Sequence, residues 1–482
     1  MKVLLVQPPH YYGTNSRPPS SFPLGIAYIA RALKNAGHVV ETFDIYAHQF
    51  SHSEVRHRIS NLNREFDALC VSALSTQYAY VKWLINELKL RFDRPLILGN
   101  ALATFNMEVV FKHTKADICV ISEGEETIVE LLDNLGNLSA VKGIAYRESG
   151  KIIVNPRREY ISDLDSINFP ERDMFAMDIY LKHTCLWSNP EIRTIDIISA
   201  RGCPYDCNFC SRTFSGIRLR SVANIIEEIE ELRSKYDFKG IKFNDELTLI
   251  NKQRTYELCA YLKKSKLSWI CQGRVNVVDR DLLKVMKDSG CKALGFGVES
   301  GSNKILANMN KGITAEQAVA AINATKEAGI EPIIQMMFGY PGEDDRSLEE
   351  TVNFFKKVRS PTMQFSMTTA LPGTRLYQDA RNNNLINNED QYLEKLDWGY
   401  YADREVLINF TNFADSELTR KRKEIEDNIN RYYRNYITAR PWILCGILLK
   451  RIKSYYLRYG LFKTSKKMMG LASYLRKDSW MI

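Results

Sequence analysis

The stretch SARGCPYDCNFCSR, residues 199–212, places three cysteines within eight positions, at Cys203, Cys207 and Cys210. A structural zinc site needs a fourth ligand, usually from a second Cys or His pair, and this sequence has no such pair nearby. An iron–sulfur cluster normally takes four thiolates, so three would leave one iron open to another ligand. An open metal position is typical of a catalytic site. The C-x3-C-x2-C spacing therefore indicates a reactive metal cluster.

The other seven cysteines are scattered singly along the chain, and most lie in apolar segments such as ALCVSAL and DICVI. This distribution is typical of a reducing compartment, where thiols stay free and behave as small core residues. The apolar run in the opening MKVLLVQPPHYYG is too short for a signal segment. We therefore expect a cytoplasmic protein.

The positive charge is concentrated at the end of the chain. The net charge is +9, and residues 440–482 hold ten Lys or Arg and one acid, which leaves residues 1–439 formally neutral. This uneven distribution argues against nucleic acid as a partner. The basic, aromatic and amphipathic tail is expected to be a helical cap; the alternative is peripheral contact with an anionic membrane at its inner face.

From about Arg193, strand-like runs alternate with amphipathic helical ones. Six such strands are predicted, in the order TIDIISA, GIKFN, LSWICQG, KALGFGV, EPIIQMMFG and MQFSMTTA. This alternation predicts a parallel sheet, either a barrel or an open doubly wound sheet. The cysteines directly follow the first strand, at the face where such folds build their chemistry.

The first 150 residues form another βα series and predict a Rossmann-like domain, whose ligands lie beyond the carboxyl ends of the strands. No G-x-G-x-x-G follows the first strand, so the pattern does not indicate a dinucleotide site.

The cysteine triplet, with Phe209 before its last cysteine, resembles the signature of radical S-adenosylmethionine (SAM) enzymes. Residues 273–312, 336–354 and 369–377 are similar to later parts of the barrel in the group that contains cobalamin-dependent members. Pro8-Pro9, the segment PLGIAYIARALKNAGH, Gly99 and SEGEET resemble the cobalamin-binding domain that precedes such barrels.

This resemblance implies an α/β fold in which a Rossmann-like cobalamin-binding domain precedes a partial (β/α)6 radical SAM barrel and a C-terminal helical region. The expected boundaries are residues 1–145 for the cobalamin domain, 146–192 for a hairpin and linker, 193–385 for the barrel and 386–482 for the basic helical region.

The resemblance also implies a set of site residues. Cys203, Cys207 and Cys210 would hold a [4Fe–4S] cluster whose open iron binds SAM. Residues that end the barrel strands would contact SAM itself: Phe209, Asn244, Asp245, Glu246, Arg274, Glu299 and Gln335. Arg274 suits the methionine carboxylate and Glu299 the ribose hydroxyls. The alternative is that such strand-end Arg and Glu residues only brace the rim of the barrel, and that Gln335 makes an internal hydrogen bond.

Cobalamin contacts are expected at the strand ends of the first domain, at Pro9, His10, Ser72, Thr76, Gly99, Asn100, Thr104, Glu123 and Gly124. Two departures from the family stand out. Asn100 replaces the second glycine of a Gly-Gly-x-His pattern, although asparagine tolerates similar backbone conformations. His10-x-x-Gly13 has the spacing of a cobalt-ligating histidine motif, but Pro8 occupies its Asp position. We therefore expect His10 to be an ordinary loop histidine and cobalt to have no protein histidine ligand.

The function implied is that of a cobalamin-dependent radical SAM enzyme, in which SAM is cleaved reductively to a 5′-deoxyadenosyl radical and an unactivated carbon is methylated. The alternative is a non-methylating member that forms or rearranges rings in pigment, lipid or natural-product biosynthesis. A binding protein that senses cobalamin or iron would keep these domains without turnover. The expected partners are a small-molecule substrate and a low-potential donor such as flavodoxin or ferredoxin.

Overall fold

The computed structural model describes residues 1–10, 17–186, 189–360, 364–396 and 406–440. These residues form two compact units that interleave along the chain. The first contains the described parts of Met1–Thr184, Asp196–Ser234 and Thr369–Tyr400. The second contains the described parts of Cys185–Ile195, Lys235–Thr368 and Tyr401–Ile482. The boundaries expected after residues 145, 192 and 385 stay a prediction.

The first unit contains a seven-stranded sheet of order β2-β1-β3-β4-β5-β6-β7. Its strands are β1 (Lys2–Gln7), β2 (Val39–Asp44), β3 (Ala68–Ser72), β4 (Leu96–Gly99), β5 (Ile118–Val120), β6 (Ile144–Glu148) and β7 (Lys151–Val154). The first five pair in parallel, and β6 and β7 extend the sheet as an antiparallel hairpin. The runs VLLV in β1 and ALCV in β3 are buried, as expected for a parallel sheet with both faces covered.

Helices connect these strands. They are α1 (Leu24–Asn35), α2 (Ile45–His48), α3 (His52–Asn61), α4 (Tyr78–Arg91), α5 (Asn100–His113), α6 (Glu125–Asp133) and α7 (Met177–His183). This layout confirms the predicted Rossmann-like fold. Because the strand order reverses at β1 and β3, the crevice for a ligand lies beyond the carboxyl ends of these two strands.

The chain continues through β8 (Cys185–Leu186) and β9 (Asn189–Ile197), then a separate two-stranded hairpin, β10 (Ala200–Cys203) and β11 (Gly216–Leu219), and α8 (Val222–Lys235). The sheet of the second unit has the order β16-β15-β14-β13-β12-β9-β8. Its remaining strands are β12 (Gly240–Phe243), β13 (Ser268–Gly273), β14 (Cys291–Glu299), β15 (Glu331–Phe338) and β16 (Gln364–Met367).

The six strands from β9 to β16 are neighbours in chain order, and β12 to β16 pair in parallel. Sequential order without a reversal is the order of a barrel, and the open edges at β16 and β8 make the barrel partial. The helices between and after the strands are α9 (Lys252–Ser265), α10 (Arg280–Asp288), α11 (Asn303–Asn308), α12 (Ala315–Glu327) and α13 (Asp345–Val358). The βα alternation alone predicted either a barrel or an open sheet, and the resemblance implied a partial barrel. The structure confirms the partial barrel.

Three helices follow the barrel strands: α14 (Arg375–Asn382), α15 (Glu389–Lys395) and α16 (Asp415–Thr438). Helix α15 packs on α4 of the first unit, where Lys82 pairs with Asp390 and Glu394 at 2.8 Å each. None of the described helices is long and apolar enough to cross a membrane. The predicted cap or membrane contact of the tail lies outside the described residues, except for Arg440.

Five of the scattered cysteines, Cys70, Cys119, Cys259, Cys271 and Cys291, are buried in the two units, as predicted. Burial raises the pKa of the Cys70 thiol to about 12 and raises the pKa of the other four. These thiols therefore stay protonated and are poor metal ligands at neutral pH.

Candidate active site

The first cysteine of the triplet lies at the end of a hairpin strand. Cys203 ends β10, which pairs antiparallel with β11 in the register Gly202 to Ile217 and Cys203 to Gly216. Gly202 has a φ of +86°, and a Cβ on it would lie 2.4 Å from the carbonyl oxygen of Gly216. Only glycine fits both the conformation and the close approach. The sequence predicted a loop here, and the hairpin is a finding of the structure.

The other two cysteines share a tight turn, in which the Cys210 N–H donates to the Cys207 carbonyl at 3.2 Å. Cys207 is buried, and Cys203 and Cys210 are partly exposed. Phe209, which directly precedes Cys210, is also partly exposed. Within the described part of the chain, no three His, Cys, Asp or Glu side chains are grouped to hold a single metal ion. A [4Fe–4S] cluster does not require this, because each thiolate binds a different iron. Three cysteine thiols on one short stretch of chain fit such a cluster.

The segment TALPGTRLY, residues 369–377, holds this loop from one side. The Leu376 N–H donates to the Asn208 carbonyl at 3.0 Å, and the Ser211 hydroxyl donates to the Pro372 carbonyl at 2.8 Å. In the same segment, Gly373 has a φ of +84° and packs so closely on Phe105 of α5 that a Cβ would lie 2.6 Å from the ring. The segment therefore contacts both the cysteine loop and the Rossmann-like fold.

A buried ionic cluster fixes the chain just before the cysteines. Glu228 of α8 accepts from Arg172 at 3.1 Å and from Arg220 at 2.5 Å. Arg172 also donates to the Asp196 carbonyl, and Arg220 to the Ile198 carbonyl, at 2.7 Å each. Because these carbonyls belong to the end of β9 and the residue after it, the cluster determines where the cysteine hairpin begins.

At the β1 and β3 crevice, the two chain segments that leave the strands are joined. The Gln77 side-chain amide donates to the Pro8 and Pro9 carbonyls at 3.1 and 3.0 Å. His10 lies edge-on to the Tyr46 ring, with centroids 4.5 Å apart, and burial lowers the pKa of His10 to about 4. The imidazole is therefore neutral at physiological pH.

Hydrogen bonds also link the ends of β3, β4 and β5. The Asn100 side chain donates to the Ser72 hydroxyl at 3.2 Å, the Thr104 hydroxyl donates to the Asn100 carbonyl at 2.9 Å, and the Ser122 N–H donates to Thr104 at 3.0 Å. Asn100 has a φ of +73°, in the left-handed region that asparagine tolerates better than most residues. Next to it, a Cβ on Gly99 would point into open space. These four polar residues form a continuous rim along the carboxyl edge.

Several buried polar atoms near this rim lack a hydrogen-bond partner among the described residues: Thr76 Oγ1, Asn106 Nδ2 and Ser122 Oγ. Asn106 breaks the regular geometry of α5, with a φ of −131°, and its Oδ1 accepts from Ser75 at 2.8 Å. Buried polar groups are normally satisfied, so these atoms fit a polar ligand such as the amide-rich cobalamin. Asn106 and Ser122 were not predicted; their polarity inside apolar segments was the signal.

The two remaining predicted cobalamin residues have structural tasks. Both carboxylate oxygens of Glu123 bind arginines of the cysteine hairpin, and one also accepts from the Ile161 N–H at 2.9 Å. Gly124 is the N-cap of α6, and a Cβ there would lie 2.8 Å from Ile29 of α1. Direct cobalamin contacts of Glu123 and Gly124 stay predictions.

In the second unit, the parallel strands bring predicted SAM residues to one edge of the sheet. Arg274 follows β13 and Glu299 ends β14, and both are buried. Glu299 has a φ of +74° and pairs with Lys311 at 3.1 Å, while a Cβ on the next residue, Gly312, would lie 3.4 Å from Arg274 Nη2. Lys311 was not predicted. The ion pair between Lys311 and Glu299 fits the alternative prediction, in which charged residues at strand ends only brace the rim of the barrel.

Strand β14 has glycines at the positions where neighbouring polar side chains pack against it. A Cβ on Gly295 would lie 2.3 Å from Gln272, and a Cβ on Gly297 would lie 2.4 Å from Glu299. Gln335 of β15 lies opposite Gly297 in the register. Of the residues after β12, Asp245 is buried, Asn244 is half-buried and Glu246 is exposed.

Buried hydroxyls without a partner among the described residues follow the carboxyl ends of three barrel strands: Thr248 after β12, Ser302 after β14 and Thr368 after β16. Such hydroxyls fit a polar ligand at this edge, as SAM would be. These hydroxyls were not predicted, because a lone Ser or Thr after a strand has no distinctive spacing in the sequence.

Comparison with known families agrees with both folds. Residues 14–132 match the family model described as "B12 binding domain", and residues 197–355 match the one described as "Radical SAM superfamily".

Similar proteins span most of the chain. An uncharacterized methyltransferase of Pyrococcus horikoshii is 30% identical over 438 residues, which cover 87% of this chain and 90% of that protein. The anaerobic magnesium-protoporphyrin IX monomethyl ester cyclase of Rubrivivax gelatinosus is 27% identical over 86% of this chain and 77% of its own. Among solved structures, the cobalamin-dependent SAM radical enzyme OxsB with aqua-cobalamin bound has a TM-score of 0.69 at 18% identity. The match covers 98% of this chain and 75% of the OxsB chain, and at this identity it shows a similarity of fold.

The predicted family, fold class and cofactors are thereby confirmed: SAM and a [4Fe–4S] cluster for the barrel, and cobalamin for the first domain. This chain belongs to the radical SAM superfamily, in the group whose members carry a B12-binding domain before the radical SAM domain.

Proposed function

We propose that this protein is a cobalamin-dependent radical SAM methyltransferase that methylates an unactivated carbon of a small-molecule substrate. The observation that carries the proposal is that the cysteine hairpin and the B12-binding fold lie in one compact unit. Ion pairs and the 369–377 segment join them there. Chemistry that uses both cofactors in turn requires this kind of fixed arrangement.

The roles of the residues follow from their chemistry. The thiolates of Cys203, Cys207 and Cys210 would bind three irons and leave one for SAM. Arg274 offers a buried guanidinium for the methionine carboxylate, and Glu299 offers acceptors for the ribose hydroxyls. When bound, the reduced cluster supplies the electron that cleaves SAM, and cobalamin supplies the methyl group. The chain's own part is to orient both cofactors and exclude water.

The cobalamin site we propose lies at the carboxyl edge of the Rossmann-like sheet, with Pro9, Ser72, Thr76, Asn100 and Thr104 as contacts. The support is its position at the strand-order reversal and the buried polar atoms beside it. His10 is placed in the same loop but would not ligate cobalt. Its edge-on contact with Tyr46 supports a packing role.

Methylation is supported by the methyltransferase of Pyrococcus horikoshii, which matches 87% of the chain. The cyclase of Rubrivivax gelatinosus, at 27% identity, supports the second candidate, a non-methylating reaction such as ring formation.

Radical SAM chemistry requires a reductant, and we propose a low-potential flavodoxin or ferredoxin for this role. Peripheral contact of residues 440–482 with an anionic membrane is a proposal supported only by their charge and aromatic content. Co-sedimentation with anionic liposomes at low salt, with and without these residues, tests it; equal sedimentation of both chains would refute it.

The function is tested by supplying SAM with an isotopically labelled methyl group to anaerobic cells that make the protein, and by mass spectrometry of their small molecules. A methyltransferase should yield a labelled product that is absent from cells making the Cys203→Ala variant. A product that depends on Cys203 but carries no label would instead establish the non-methylating alternative. The absence of any such product would refute both.

A further inference from the structure

Two arginines of the cysteine hairpin face each other across its strands. Arg201 of β10 and Arg218 of β11 are directly opposite in the register. Like charges in this position destabilise a hairpin, so the pair requires compensation. Arg201 lies only two residues before Cys203, which makes the geometry of this pair relevant to the cysteine.

Two acids, Glu123 just before α6 and Glu125 at its first position, provide that compensation. Glu123 Oε1 accepts from Arg201 at 2.7 Å, and Glu123 Oε2 accepts from Arg218 at 2.9 Å, so one carboxylate bridges both strands. Glu125 Oε1 accepts from Arg201 at 2.5 Å. The side chains of Glu123 and Arg201 are only 4% and 9% exposed. The two acids and two arginines form a neutral cluster that is largely buried, with the Glu125 and Arg218 side chains 12% and 14% exposed.

The remaining surface of Arg218 is covered by aromatic rings. Its guanidinium carbon lies 4.9 Å from the ring centroid of Tyr160 and 5.3 Å from that of Phe214. Its Nε and Nη2 have no hydrogen-bond partner among the described residues. Glu123 therefore supplies the counter-charge of Arg218. Loss of Glu123 would leave a largely buried charge without its counter-charge, which would destabilise the hairpin.

We propose that Glu123 is a positioning residue, which fixes the β10–β11 hairpin, and with it Cys203, against the loop between β5 and α6. That loop lies at the carboxyl edge of the B12-binding fold. The consequence for catalysis rests on the proposed function: Glu123 would keep the cluster at a fixed place relative to cobalamin. The ion pairs themselves are a property of the chain without cofactors.

The test is hydrogen exchange, followed by mass spectrometry, on the full-length protein without cofactors. In Glu123→Gln, amides of Ala200–Cys203 and Gly216–Leu219 should exchange roughly ten to a hundred times faster than in the unchanged protein. The matched control is Glu126→Gln, whose carboxylate is exposed and 3.7 Å from Arg158. It should leave the hairpin unchanged.

A second variant separates charge balance from general damage. Adding Arg218→Gln to Glu123→Gln removes the opposed arginines, so part of the protection in the hairpin should return. If Glu123→Gln does not fold, Arg218→Gln alone should still speed exchange in β10 and β11. Equal exchange in Glu123→Gln and Glu126→Gln, with both folded by circular dichroism, would overturn the proposal.

A spectroscopic readout addresses the cluster itself. After anaerobic loading with iron and sulfide, the electron paramagnetic resonance spectrum of reduced Glu123→Gln should be broadened relative to Glu126→Gln, because Cys203 is less fixed. Identical spectra would count against positioning. Failure of the unchanged protein to cleave SAM or to bind cobalamin would refute the proposed function, whereas the exchange result would still decide the role of Glu123.

Discussion

The substitution Glu228→Gln should destabilise the protein and loosen the start of the cysteine hairpin. Glu228 receives hydrogen bonds from two arginines, Arg172 at 3.1 Å and Arg220 at 2.5 Å. Glutamine keeps one acceptor but turns an amide N–H toward a guanidinium. Both arginines would lose their counter-charge.

The magnitude follows from burial. The side chains of Arg172, Glu228 and Arg220 are 3%, 1% and 4% exposed, so water cannot replace the lost carboxylate. Removing one partner of a buried ion pair costs about 3–5 kcal/mol. Because the arginines also bind the Asp196 and Ile198 carbonyls, part of this loss falls on the chain that leads to Cys203.

The assay is urea unfolding followed by circular dichroism, together with iron content after anaerobic reconstitution. The control is Glu227→Gln, the preceding residue of α8, which is exposed. We expect a loss of about 3–5 kcal/mol and reduced iron in Glu228→Gln, and a change within about 0.5 kcal/mol in Glu227→Gln. A Glu228→Gln variant as stable as this control would refute the argument that the buried cluster holds the hairpin.

Three further outcomes follow from the geometry. Gly202→Ala should abolish iron binding, measured after reconstitution, because its Cβ would lie 2.4 Å from the Gly216 carbonyl oxygen; wild-type iron content would contradict this. His10→Ala should leave the visible spectrum of bound cobalamin unchanged, and a spectral shift would indicate a cobalt ligand. Burial raises the pKa of Glu343 from its ordinary 4.5 to about 7, so its stabilising contribution is full below pH 4.5 and is lost as pH rises to about 7. Glu343→Gln, which keeps an acceptor for the Gly339 N–H, should flatten the pH dependence of the urea midpoint in this window; an unchanged slope would contradict the shift.

The strands of both sheets were predictable because alternating βα patterns are local properties of the sequence. All six predicted barrel strands are present, and Asn100 adopts a left-handed conformation, of the kind that asparagine was expected to tolerate. The roles expected for the individual site residues stay predictions.

The hairpin that carries Cys203 was not predicted. Its strands are four residues each. Its close approach depends on Gly202 meeting Gly216, which is fourteen residues later, and no periodic pattern in the sequence indicates that contact. The partners of Glu123 and Glu299 were missed for a related reason. An ion pair such as Glu123 with Arg201 joins residues 78 positions apart, and only the tertiary fold selects that arginine among many.

The proposed function requires that Cys203, Cys207 and Cys210 hold a cluster that cleaves SAM. The most direct measurement is 5′-deoxyadenosine formed from SAM by the anaerobically reconstituted and reduced protein, with Cys259→Ala, a buried core cysteine of α9, as the control. We predict about four irons per chain and 5′-deoxyadenosine in the unchanged protein and in Cys259→Ala, and neither in Cys203→Ala, Cys207→Ala or Cys210→Ala. Bound zinc in place of iron, with no 5′-deoxyadenosine from the unchanged protein, would contradict the claim.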